Sequence, residues 1–140
     1  MIIKIKHEKV SKLIIFNNNR VLLLKRSNKF VTDESPWTWD LPGGHIEEGE
    51  TSQDAVKRET KEETQLRITS LFYVGSDSNV GKLTYFYGTV RLNEGVAPEI
   101  NLSDEHEEYK WVGRQEMIDY RDNIGVMYYQ MVSKSYDMLQ

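Results

Sequence analysis

The chain has 140 residues, 39% of them hydrophobic and 11% aromatic, which suits one domain with a genuine core and excludes a disordered or fibrous chain. A formal net charge of −4 without a basic run argues against broad binding to nucleic-acid phosphates. The absence of cysteine excludes disulfides, thiolate zinc sites and cysteine nucleophiles, so any metal must use oxygen or histidine.

The first ten residues, MIIKIKHEKV, intersperse charges with apolar residues, unlike a signal peptide. No segment approaches the ~20 apolar residues of a membrane span, and a soluble cytoplasmic protein with no membrane partner is expected. Val10 to Phe16 and Val21 to Lys25 are apolar runs joined by Asn17-Asn18-Asn19-Arg20, which predicts an antiparallel hairpin because asparagine tolerates left-handed turns. A helix is predicted from Ser52 to Thr64, followed by strands over Ile68 to Val74 and Leu83 to Leu92 and a short strand over Tyr109 to Val112. A short helix near Arg114 to Tyr120 and an amphipathic helix from Ile124, with Met127, Tyr128, Met131, Val132 and Leu139 apolar, close the chain. No repeat or linker divides residues 1–140, so a single domain is expected.

The chemistry is concentrated between Gly44 and Leu66. Gly44 is followed by five residues and Glu50, then by seven residues and Arg58-Glu59-Thr60-Lys61-Glu62-Glu63. On a helix, roughly 100° per residue puts Glu59, Glu62 and Glu63 within about a 100° arc. Like charges at that spacing cost roughly 0.2–0.5 kcal/mol per pair in an isolated helix, and a hard divalent cation reverses the sign. Oxygen ligands favour Mg2+, with Mn2+ as the alternative, and such ions join carboxylates to substrate phosphates; a small polyphosphate substrate is implied. A solvated helix face would carry glutamates too, with Lys57, Arg58, Lys61 and Arg67 offering ion-pair partners. For the three glutamates alone the solvated face is the preferred reading, and the spacing of Gly44, Glu50 and Arg58 turns the balance only by matching a family pattern.

Local signals agree. Thr51 followed by Asp54 has the capping-box form, Gly43 and Gly44 permit close backbone approach, and Glu50 with Arg58 can form a bidentate pair that ties loop to helix as structural support.

This stretch resembles the Nudix box of the Nudix hydrolases: glycine, five residues, glutamate, seven residues, Arg-Glu, an aliphatic residue, any residue, Glu-Glu, any residue, glycine and an aliphatic residue. Gly44, Glu50, Arg58, Glu59, Glu62, Glu63 and Leu66 match; Thr60 replaces the aliphatic residue and Gln65 the glycine. A left-handed Gln65 would cost on the order of 1–2 kcal/mol. Thr60 would lose roughly 1 kcal/mol of burial unless its hydroxyl bonds back along the helix. Neither departure removes a proposed ligand.

The resemblance implies an α/β fold, the Nudix fold: an α/β/α sandwich around a mixed β-sheet with the loop-helix-loop of the box. It also implies metal-dependent hydrolysis of a phosphoanhydride in a nucleoside diphosphate linked to another group. Glu59, Glu62 and Glu63 would act as ligands, a backbone oxygen near Gly44 would join them, and the acidic loop before Trp111 would add a further carboxylate. Glu105 is the first choice there and Glu108 the second. Glu62 or Glu105 would serve as general base, and both Glu62→Gln and Glu63→Gln are expected to abolish most turnover. The Leu41-Pro42-Gly43-Gly44 entry resembles the MutT-like branch, which favours a small nucleoside triphosphate. ADP-ribose, dinucleoside polyphosphates, capped RNA, a nucleotide-sensing domain without turnover and a structural protein with an incidental acidic helix are the alternatives. Family members often form homodimers.

Outside the box, Arg26, ahead of Lys25, is the candidate phosphate contact, and Trp39, beside Trp37, the candidate for stacking on a base. Tyr85 and Tyr87 share a strand face and either line the pocket or pack. His7, His45 and His106 have no metal-ligand spacing among themselves, and a surface or supporting role is the default.

Overall fold

The computed structural model describes residues 8–90 and 98–139; the readings made for residues 1–7 and for the far end of the strand drawn to Leu92 lie outside the described residues. β1 (Glu8–Asn17) and β2 (Arg20–Arg26) form the expected hairpin, with Asn17 opposite Arg20. Asn18 and Asn19 both adopt positive φ, 50° and 60°, the conformation that matches a two-residue turn to the twist of its strands.

Leu13, Ile15, Leu22 and Leu24 face one buried cluster, while Ile14, Phe16, Val21 and Leu23 face another. Burial on both faces is why these strands read as continuous apolar runs rather than alternating ones. Helix α1 (Ser52–Thr64) covers the first face through Val56, and α3 (Val126–Met138) covers the second through Val132 and Tyr136. The result is the expected α/β/α sandwich.

The sheet is mixed. β1 runs parallel to β6 (Lys82–Val90), which pairs antiparallel with the edge strand β5 (Phe72–Asn79). β2 pairs with β3 (Trp39–Asp40) and β7 (His106–Gly113), while the first half of β1 pairs with β4 (Gly43–His45). Away from their shared turn β1 and β2 therefore bond to different partners, and the segment from Trp39 to His45 bridges them. That divergence creates the cleft described below.

Three boundaries differ from expectation. The strand drawn over Ile68 to Val74 begins at Phe72: Leu66 and Ile68 belong to the chain leaving α1 and pack beneath it, and β5 continues through polar Ser76 to Asn79, which an edge strand tolerates. The strand drawn over Tyr109 to Val112 starts at His106, whose polar neighbours concealed it. The C-terminal helix starts at Val126 rather than Ile124, because Gly125, at φ +99°, separates it from the short α2 (Arg121–Ile124). A 3-10 turn occupies Glu116–Tyr120, where a short helix was expected. Among the described residues no helix is long and apolar enough to cross a membrane.

Candidate active site

The local structure of α1 sets the geometry. Thr51 Oγ1 accepts from the Asp54 N–H at 3.0 Å and caps the helix. At the other end Gln65 is left-handed, with φ 64°, and its N–H donates to the Lys61 carbonyl at 2.8 Å. Glu50 grips Arg58 bidentately, with Nε to Oε2 at 2.8 Å and Nη2 to Oε1 at 3.0 Å, while Arg58 also donates to the His45 carbonyl at 3.1 Å. The arginine holds the Glu50 carboxyl below its usual range, and the Glu50 bond in turn keeps Arg58 firmly protonated. Loop and helix are thereby fastened at a fixed spacing, as the pairing of Glu50 with Arg58 implied.

β4 meets the inner side of α1. The Gly43 N–H donates to Glu63 Oε1 at 2.7 Å, and a Cβ added to Gly44 would lie 2.7 Å from the carboxyl carbon of Glu59. Glycine at 44 is thus what leaves room for the Glu59 carboxylate, whose Oε1 also accepts from Arg58 at 3.0 Å. Gly43 is needed for the backbone itself: its φ is +129°, and a Cβ would stand 2.1 Å from the Ser11 carbonyl oxygen.

The segment before β7 is tied to the C-terminal turn of α1. Asn101 N–H donates to the Thr64 carbonyl at 3.1 Å and Ser103 N–H to the Glu63 carbonyl at 3.2 Å, using acceptors that a helix end leaves free. Ser27 donates through its N–H to the Glu105 carbonyl at 2.9 Å and through its hydroxyl to the Asp104 carbonyl at 2.9 Å. These bonds bring Glu105 and His106 beside Glu63, and one ligand atom from each of the three lies within 4.8 Å of the others.

All of these groups open onto a cleft of about 510 Å³, within the range of small-molecule sites. Its lining includes the carboxylates of Glu59, Glu63 and Glu105 and the aromatic rings of Trp39, Phe86 and Tyr128. Lys12, 6% exposed, also lines the cleft and donates to Asp40 Oδ2 at 3.1 Å and to the carbonyls of Leu41 and Gly43 at 3.2 and 3.3 Å. Burial opposes the charge on Lys12, but Asp40, Tyr128 and Glu63 outweigh it and hold the ammonium above the usual lysine value. Burial pushes the Glu63 carboxyl up to about 8 against the pull of Lys12 and the Gly43 N–H, pushes the His106 imidazolium down to about 4, and pushes the Tyr128 hydroxyl up to about 12.

These observations test whether a cation fits. A Glu63 carboxyl at about 8 is not fully ionised at neutral pH, because its charge is incompletely compensated by protein groups alone. A divalent ion supplies the missing charge, and Glu59, Glu63 and Glu105 supply oxygen donors around it. The residues present fit such an ion.

Of the residues singled out in the sequence, the structure brings Gly44, Glu59, Glu63, Glu105, Arg26 and Trp39 to the cleft. It does not bring Glu62 there: that side chain is 58% exposed on the outer side of α1, held by Arg58 Nη1 at 3.3 and 3.4 Å. Glu108 is an exposed partner of Lys25 and Lys110. Arg26 borders the cleft, yet its guanidinium donates to the Phe30, Ser35 and Trp37 carbonyls and the Ser35 hydroxyl, so it chiefly anchors its own loop. Trp39 packs edge-on to Tyr120 at 5.4 Å with Lys110 Nζ 5.5 Å from its ring centre. Tyr85 and Tyr87 pack on the α1 side, where the Tyr87 hydroxyl bonds Ser52 at 2.6 Å.

Sequence reasoning missed Lys12, Asp40 and Tyr128, and gave His106 no site role. A lysine embedded in the apolar run from Val10 to Phe16 was the available signal for the first, since such a side chain is either at a kink or paired. His106 carried no comparable mark within its acidic loop.

The NUDIX domain profile matches residues 6–131. The chain belongs to the NUDIX domain family. It is 34% identical over 97 residues to the ADP-ribose pyrophosphatase of Methanocaldococcus jannaschii, covering 68% of this chain and 55% of that protein. It is 26% identical over 122 residues to the nucleoside triphosphatase NudI of Escherichia coli, covering 79% and 85%. The chain spans about half the length of the first curated relatives it matches. The crystal structure of the MutT protein from Methanosarcina mazei Go1 superposes with a TM-score of 0.74 over 99% of both chains at 20% identity, which shows that this is the Nudix fold. In the Nudix chain described here, the departures at Thr60 and Gln65 leave the box geometry intact: Gln65 takes the left-handed turn, and Thr60 is fully buried.

Proposed function

We propose that this chain is a metal-dependent pyrophosphohydrolase acting on a nucleoside diphosphate linked to another group, with a small nucleoside triphosphate as the preferred substrate. The observation that carries the reading is the placement of Glu59 and Glu63 against the two glycines of β4, with Glu105 beside Glu63, on a cleft of about 510 Å³. Glu59, Glu63 and Glu105 would hold Mg2+ or Mn2+. When bound, such an ion neutralises phosphate charge and lowers the pKa of a coordinated water.

The protein's own residues supply position. The Gly43 N–H fixes one oxygen of Glu63, Arg58 fixes Glu59, and the bonds from Asn101 and Ser103 to the end of α1 set Glu105 at the rim. Glu105 is exposed and borders the cleft, so it is better placed than Glu62 to take a proton from water. Lys12 keeps its charge and pins Asp40 and the Leu41 and Gly43 carbonyls, which stiffens the strand that carries both glycines. Trp39, Phe86 and Tyr128 offer apolar surface for a base, worth about 1–3 kcal/mol where stacking is achieved.

The similarity to NudI over most of both chains supports a triphosphate, and the cleft suits a single nucleotide. ADP-ribose is the second reading, favoured by the 34% identical pyrophosphatase. A screen with Mg2+ or Mn2+ across nucleoside triphosphates, ADP-ribose, dinucleoside polyphosphates and capped RNA tests both. Release of pyrophosphate from a triphosphate is the expected result. Tight nucleotide binding without turnover of any class would replace the hydrolase by a nucleotide sensor.

A further inference from the structure

His106 is only 7% exposed, yet its Nδ1 has no hydrogen-bond partner and its Nε2 stands 3.8 Å from Glu63 Oε2, beyond hydrogen-bond reach. A buried imidazole that simply fills space would be expected to satisfy its ring N–H with a nearby carbonyl. Here the ring is instead aimed at carboxylates. The register of β2 against β7 shifts between Lys25 and Arg26, so that Lys25 faces Glu108 and Arg26 faces His106. Such a bulge re-aims a side chain. The turn closed by the His106 N–H to the Ser103 carbonyl at 3.2 Å then lets consecutive residues, Glu105 and His106, present ligand atoms to the same point as Glu63.

We propose that His106 is a nitrogen ligand, completing with Glu63 and Glu105 a mixed oxygen and nitrogen site that favours Mn2+ over Mg2+. The inference rests on the reading that Glu63 holds a cation, and adds the identity of a ligand and of the ion. The three donor atoms lie within 4.8 Å of one another, and bond lengths of ~2.1 Å require separations up to ~4.2 Å; His106 Nε2 and Glu63 Oε2 meet this at 3.8 Å, and Glu105 is the exposed member of the three. Mn2+ prefers oxygen donors and is the weakest binder of its row, yet it accepts an imidazole more readily than Mg2+, which demands oxygen and retains its water. The exposed side of Glu105 leaves room for a water or phosphate oxygen to complete the shell.

The test is pulsed electron paramagnetic resonance of Mn2+ bound to the full chain, which reads nitrogen hyperfine coupling directly, with calorimetric titration of Mn2+ and Mg2+. The wild type is expected to show imidazole coupling, and His106→Gln to lose it together with about 10- to 100-fold in Mn2+ affinity, Mg2+ affinity changing much less. The chain has 3 histidines, so the double variant His7→Gln, His45→Gln leaves His106 alone and should retain the coupling even if His106→Gln does not fold. Bound Mn2+ without nitrogen coupling, loss of coupling in the double variant, or equal weakening of both ions in His106→Gln would each overturn the assignment. Turnover alongside a nitrogen-free Mn2+ spectrum would remove this ligand and leave the hydrolase standing. Nitrogen coupling without turnover of any nucleotide would do the reverse.

Discussion

The two sides of α1 carry similar residues under different physics. On the outer side, Arg58 gathers Glu50 and Glu62 at the surface, and its pairing with Glu50 fixes where the loop meets the helix. On the inner side, Glu63 is 4% exposed, bonded to one glycine N–H, and pushed up to about 8 by burial. Adjacent glutamates, Glu62 and Glu63, therefore differ in nearly everything that matters for chemistry. Carboxylates that share a helix arc need not share an environment, because the neighbouring strand comes close to only one edge of the arc.

The largest test of this contrast is a pair of substitutions at two positions that the box motif treats alike. Glu63→Gln keeps the shape but loses an anionic donor at the centre of the site, and turnover should fall by about 10³-fold, roughly 4 kcal/mol in the barrier. Glu62→Gln removes only an exposed partner of Arg58 and should cost about 10-fold or less. Steady-state rates on the same nucleotide, with circular dichroism to establish folding, decide it; equal losses would erase the distinction between the two sides.

The two glycines sharpen the same comparison. Gly43→Ala forces a Cβ to within 2.1 Å of the Ser11 carbonyl at a φ of +129°, and should destabilise the fold by about 3 kcal/mol or more in urea. Gly44→Ala meets only the end of a flexible side chain, so the fold should survive while the Glu59 carboxylate is displaced. Calorimetry should then show cation affinity weakened by about 10- to 100-fold.

Titration gives a smaller effect with a defined sign. Glu63 binds its proton near 4.5 when unfolded and near 8 when folded, so metal-free stability falls as pH rises through that window. His106 runs the other way: it titrates near 6.5 unfolded and about 4 folded, and its contribution is lost as pH falls between them. The slopes oppose between about 4.5 and 6.5, and only that of Glu63 remains above, where up to about 2 kcal/mol should be lost by pH 8. Urea unfolding in chelator should show this decline, and Glu63→Gln should flatten it. Added Mg2+ or Mn2+ should reverse the trend, because the ion binds the deprotonated carboxylate.

What was legible in the sequence divides along the same line. The box announced α1, its cap, the Glu50–Arg58 pair and the left-handed Gln65, because each is a contact between residues close in the chain. Glu105 beside Glu63 came from the resemblance, and its physical cause, the bonds from Asn101 and Ser103 to the end of α1, spans about forty residues that no local pattern relates. Lys12 with Asp40, and His106 with Glu63, depend on which strand lies beside which. The short strands β3 and β4 offered no periodicity at two and three residues, although they place both glycines. Polar β5 was hidden for a related reason: an edge strand is held by backbone pairing and needs little apolar alternation.

The smallest prediction concerns Thr60, on the inner flank of α1 between the two carboxylates. It is fully buried, and its Oγ1 has no hydrogen-bond partner, so the back-bonding that would have excused it is not formed there. The helix uses its carbonyl instead, which accepts from Thr64 Oγ1 at 2.6 Å. An unsatisfied buried hydroxyl costs about 1–3 kcal/mol, while a methyl of the same shape carries no such penalty. Thr60→Val should therefore raise stability by about 1 kcal/mol, read as a higher urea midpoint at unchanged slope, with kcat unaltered. A stabilised variant with normal turnover would show that the inner side of α1 demands particular chemistry only where Glu59 and Glu63 emerge; a destabilised one would mean that the hydroxyl takes a partner in solution.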